Sequence, residues 1–136
     1  MTGTKRALTL SGLFIALSLV IGSAWAISPH FVGSSSCTQS GGTLSCSFKV
    51  AGLGSAPASI GLSAPFVCQN RGQNYPGGLA TTKTAPITPD SGQVTITNLT
   101  VTAHCPDQMT EIFTGPVTVT VTSKGTTYTV GTIPIT

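Results

Sequence analysis

The sequence predicts an all-β fold, an antiparallel β-sandwich of about seven or eight short strands fastened by two disulfides. Three observations carry this prediction. Past residue 26 there is almost no helical periodicity, while apolar and hydroxyl residues alternate with period two in several stretches. Gly, Pro and Ser clusters separate those stretches and supply turn chemistry. Four cysteines, an even number, follow an N-terminal segment that reads as an export signal. A parallel sheet would need helices between its strands, and none is indicated.

Lys5 and Arg6 precede an apolar run from Ala7 to Ile21, and Ala24-Trp25-Ala26 has the small-x-small pattern of a processing site. Residues 1–26 are therefore expected to form a secretory signal peptide, and residues 27–136 a single β-sandwich domain. The apolar run is short and interrupted by Gly and Ser, so no stable membrane span is expected after cleavage. Retention as an N-terminal anchor is the alternative. The expected location is the secreted space or the cell envelope.

Gly41-Gly42 lies midway between Cys37 and Cys46 and suits a two-residue hairpin loop, because both positions tolerate positive φ. In that register Ser40 faces Thr43 and Cys37 faces Cys46. The cysteines then form a non-hydrogen-bonded pair about 4.5 Å apart at Cα, within disulfide reach. Cys68 pairs with Cys105 by elimination, closing roughly 38 residues and contributing roughly 4 kcal/mol on the loop-entropy model. A crosswise pairing, with Cys46 joined to Cys105 between the sheets, is the alternative.

Further strands are expected at Leu44 to Ala51, around Ser59 to Leu62 and at Pro65 to Gln69. Asn70 to Ser91, with three Pro and three Gly, reads as one long irregular loop, a solvated crossover or a recognition element. Gln93 to Ala103 is a strand whose parity slips: Val94 and Ile96 are in phase, Leu99 and Val101 are not. A bulge near Thr97-Asn98 reconciles the halves. Met109 to Phe113 is ambiguous between a short helix and a strand, and the β-rich context favours a strand. Val117, Val119 and Val121 alternate with threonines, Ser123-Lys124-Gly125 turns the chain, and Thr126 to Ile135 returns. The one Trp, Trp25, lies in the leader. Nothing therefore matches the buried Trp of an antibody domain, and immunoglobulin-like is the finest description the sequence supports.

Three segments resemble a family of small exported bacterial disulfide-linked β-domain proteins: Cys46-Ser-Phe-Lys-Val-Ala-Gly-Leu-Gly54, Cys68-Gln-Asn-Arg-Gly-Gln-Asn-Tyr-Pro-Gly77, and Ala103-His-Cys-Pro-Asp107 before a Thr/Val strand. The resemblance spans most of residues 44 to 122 through short motifs, and departs from the pattern at Gln108 to Glu111, where an aromatic residue is expected. The family carries no assigned activity. The resemblance implies an exported β-domain and transfers no functional residue.

Composition narrows the function. Charged residues are 7% of the chain, against roughly 25% in ordinary soluble domains. Residues 27–136 keep Lys49, Arg71, Lys83 and Lys124 against Asp90, Asp107 and Glu111, one net positive charge. That balance gives no electrostatic footprint for nucleic acid. His104 beside Cys105, with Asp107, is the one grouping suggestive of a small secreted hydrolase, and no G-x-S-x-G element accompanies it. The bland reading is a disulfide corner, with Asp107 capping the backbone after Pro106. Glu111, flanked by apolar residues, is expected to point outward. His30 and His104 lack ligand spacing, so no metal and no cofactor are expected. The candidate binding residues are Arg71, Asn74 and Tyr75, a planar cation, an amide and an aromatic ring suited to a cell-surface glycan or protein.

The function expected is thus a non-catalytic secreted or cell-envelope module, structural or interaction-mediating. The alternative is a self-assembling surface filament subunit joined by strand exchange, with Ile27 to Ser36 or Thr132 to Thr136 as the donated segment.

Overall fold

The computed structural model describes residues 27–136, so the expected signal peptide lies outside it. The described residues form nine strands and no helix: β1 (His30–Phe31), β2 (Ser36–Ser40), β3 (Thr43–Ala51), β4 (Ala58–Asn70), β5 (Gln73–Lys83), β6 (Val94–Thr102), β7 (Thr110–Phe113), β8 (Val117–Ser123) and β9 (Thr126–Ile133). They make two antiparallel sheets. In the first, β3 is central, with β6 on one side and β1 and β2 on the other. In the second the order is β5-β4-β8-β9, and β7 pairs with the far end of β4.

Period-two alternation puts one face of each strand into a single core. Leu44, Cys46, Phe48 and Val50 of β3, with Val94, Ile96 and Val101 of β6, pack with Ile60, Leu62 and Ala64 of β4 and Val117, Val119 and Val121 of β8. Each such side chain contributes on the order of 1.5–3 kcal/mol on burial. The opposite faces carry Ser45 and Ser47, or Thr118, Thr120 and Thr122, which explains how so few charges wet the surface.

Nine strands stand against the expected seven or eight, for identifiable reasons. β1 and β2 lie in turn along one side of β3, and β7 and β8 along one side of β4, each pair being one line of strand interrupted once. The two strands expected around Ser59 to Leu62 and Pro65 to Gln69 run together as the 13-residue β4. Pro65 does not break it. The Pro65 carbonyl accepts from Thr114 N–H (3.0 Å), so this residue's backbone faces the interruption between β7 and β8. The missing donor falls where the pairing of β4 passes from β7 to β8, a break in the ladder that tolerates proline. Met109 to Phe113 resolves as a strand at Thr110–Phe113, paired through Phe66↔Phe113 and Cys68↔Glu111.

The parity slip in β6 is a bulge where it was expected. Cys46 pairs with Leu99 and Phe48 with Ile96, so Thr97 and Asn98 oppose Ser47 alone. Asn98 adopts φ 52°, tolerated by its short amide, and its N–H donates to Ser47 Oγ at 3.0 Å.

The disulfides are Cys37–Cys46, with Cα atoms 4.1 Å apart, and Cys68–Cys105, at 5.7 Å. The first has the predicted hairpin register. Only Gly41 of its turn has positive φ (60°), the requirement of a type II′ loop. Gly42 is small for another reason: a Cβ there would lie 3.1 Å from Glu111 Cδ and 3.3 Å from Ala103 O.

Both tails are paired within the chain. His30 and Phe31 pair with Ala51 and Val50. The C-terminal segment lies parallel to β2, with Thr136 N–H donating to Cys37 O (2.9 Å) and Gln39 N–H to Thr136 O (3.2 Å).

Candidate functional site

The segment holding Arg71, Asn74 and Tyr75 is not the irregular loop expected from Asn70 to Ser91. Gln73–Lys83 is strand β5, paired with β4 from Gly61 to Asn70, and only residues 84–93 remain largely irregular. The Gly and Pro residues that suggested a loop each have a place in the hairpin. Arg71 and Gly72, at φ 53° and 79°, form a type I′ turn between the paired Asn70 and Gln73. Gly77 is the extra residue of a bulge between Phe66↔Gly78 and Val67↔Pro76. A Cβ on Gly77 would lie 2.4 Å from Phe66 O and 2.7 Å from its ring, so only glycine fits there.

Every residue from Arg71 to Leu79 is exposed. The three predicted residues share this hairpin end but not one pocket. Asn74 pairs with Gln69 and accepts from its Nε2 at 3.1 Å. Tyr75 stands opposite Cys68, hence on the other face of the ribbon, and its hydroxyl donates to Gln73 Oε1 at 3.0 Å. Arg71 occupies the turn itself. The Cys68–Cys105 bridge sits at the level of Tyr75, so the base of the tip is covalently tied to the segment leaving β6. The result is a supported ridge with an amide on one flank, a phenol on the other and a guanidinium at its crest.

The remaining ionisable groups do not converge. His104 and Asp107 are exposed, and no hydrogen bond joins them to each other or to a hydroxyl among the described residues. The corner after Pro106 is closed by Met109 N–H to Pro106 O (3.2 Å), a backbone bond in place of the expected Asp107 cap. Glu111 points inward, contrary to expectation. Phe113 packs edge-on against Phe66 beside the core, which fixes the phase of β7, and Glu111 shares its face. Its half-buried carboxylate lies over Gly42. Among the described residues no group of three His, Cys, Asp or Glu could hold a metal, and no helix is long and apolar enough to cross a membrane.

Sequence reading missed a recess of about 290 Å³ at the other end of β4, where Lys49, Asp90 and Gln93 surround Ile87 and Val94. Lys49 and Asp90 lie on different elements, so no local motif joins them. No protein-family model matches the chain, and no curated protein matches it.

Proposed function

We propose that this chain is an exported, non-catalytic β-domain of the secreted space or cell envelope, a structural or interaction module whose contact surface is the tip of the β4–β5 hairpin. The observation that carries the reading is the tip itself: Arg71, Asn74 and Tyr75 exposed together on a ribbon anchored by a disulfide. Rigid sandwiches commonly carry recognition on such terminal segments, because holding contact groups in place reduces the ordering cost of binding. An aromatic ring, an amide and a planar cation suit the hydroxyls and ring faces of a cell-surface glycan, or a protein patch of similar polarity.

Two disulfides in a domain of this size are typical of extracellular proteins, which supports export. The two-sheet arrangement and inter-sheet core support the finer description of an immunoglobulin-like sandwich. The non-catalytic reading rests on the scattering of His104, Asp107 and Glu111. We also assign the chain to the family of small exported bacterial proteins that its V-A-G-L-G, C-Q-N-R-G and H-C-P-D segments resemble.

The test is binding of the mature protein to a glycan array and to host surface proteins. Arg71→Ala and Tyr75→Ala are each expected to weaken the strongest signal by roughly tenfold or more, about the effect of truncating an anchor residue. If both variants bind as the wild type does, the tip is not the contact surface.

A further inference from the structure

The two exposed large hydrophobic residues among those described, Tyr75 (42% exposed) and Leu79 (60%), both lie on β5. Among the described residues no strand pairs with β5 on its side away from β4. The backbone of β4 shows which β5 groups are left without partners. Thr84 N–H donates to Ile60 O, and Ile87 exchanges both its bonds with Ala58, so even-numbered β4 residues face β5. Pro65 O faces the opposite side, toward Thr114. Leu79, Thr81 and Lys83 stand opposite Pro65, Ser63 and Gly61, and therefore turn their N–H and C=O groups outward.

The other open edges are interrupted. β6 is broken by the bulge at Thr97-Asn98, and β9 by the register shift between Val119 and Thr120 of its partner. On β5 Pro76 and Gly77 blunt the tip, but Gly78–Lys83 is unbroken and carries neither proline nor an acidic residue. Such a run is a template for another strand.

We propose that this edge pairs with the same edge of a second copy, β5 against β5 antiparallel about a two-fold axis through Thr81. That register uses all three outward residues of each copy, which neither neighbouring register does. It sets Thr81 against Thr81 of the other copy and Leu79 against Lys83. No like charges meet, and the lysine stem covers the exposed leucine. The contact is self-complementary and closes on itself, giving a dimer in which the two five-stranded sheets run on as one sheet of ten strands, and no filament. It uses Leu79 to Lys83 and leaves Arg71 and Tyr75 at the tip, so it goes beyond the proposed function and stands or falls separately.

The test needs no ligand: the mass of mature wild type, Thr81→Lys and Thr81→Asp is measured by light scattering across a concentration series, each alone and the two variants as an equimolar mixture. Wild type is expected to dimerise. Each charged variant alone sets like charges face to face and is expected to dimerise roughly a hundredfold more weakly. The mixture is expected to recover a heterodimer, because Lys then faces Asp. Leu79→Lys, which would face Lys83, provides a second variant with the same expected loss. A wild type that stays monomeric at all concentrations overturns the proposal, even if it captures a foreign strand. So does a dimer that tolerates Thr81→Lys or Leu79→Lys, or a mixture that remains monomeric.

Discussion

Replacing Cys68 and Cys105 together by alanine is expected to lower the stability of the domain by about 4 kcal/mol, the loop-entropy value for a crosslink of this span. In a domain of this size that corresponds to a fall in Tm on the order of 20 °C. The loss is large against the roughly 5–15 kcal/mol by which small domains are stable. It also has a local signature. Cys68 lies between Tyr75 on β5 and Glu111 on β7, so the hairpin tip and β7 are expected to lose amide-exchange protection before β3 and β8 do. Thermal unfolding with hydrogen exchange checks both parts, and a variant melting within a few degrees of wild type contradicts the first.

Ile60→Ala is expected to cost about 3 kcal/mol, in the range measured for large-to-small changes at sites that cannot collapse. Ile60 is fully buried in the central strand of its sheet, between Thr84 on one side and Val121 on the other. The change removes three methyl or methylene groups and leaves a void facing sheet one. Its neighbour Ser59 has the opposite parity and is half-buried on the outer face, so Ser59→Ala is expected to change stability by no more than about 0.5 kcal/mol. Denaturant unfolding of the pair measures the alternation directly. Equal effects would mean that β4 does not present its even-numbered residues to the core.

What could be read from the sequence was governed by local rules. A two-residue loop between Cys37 and Cys46 leaves one register, so their pairing followed from spacing, and the second bridge followed from the first. The bulge at Thr97-Asn98 was legible because a period-two pattern cannot change phase without an extra residue. The hairpin carrying Arg71, Asn74 and Tyr75 was hidden by its own Gly and Pro. Pro76 and Gly77 are acceptable in β5 because it is an edge strand with a bulge, and that position in the sheet is not local information. The local cue to this hairpin is Arg71-Gly72, of the same X-Gly type as Lys124-Gly125 in the hairpin that follows Val117 to Val121; both turns have two positive φ angles. The orientation of Glu111 depended on Phe113 packing against Phe66, a contact across 47 positions of sequence. The recess near Lys49 and Asp90 likewise exists only after β3 and the segment before β6 come together.

The most direct test of an exported two-disulfide module is the intact mass of the protein released into the medium by its own host. The expected product begins at Ile27 and is four hydrogens lighter than its reduced chain, one pair for each of the two bridges. A product that stays with the cells and retains residues 1–26, or one whose mass does not change on reduction, would contradict it.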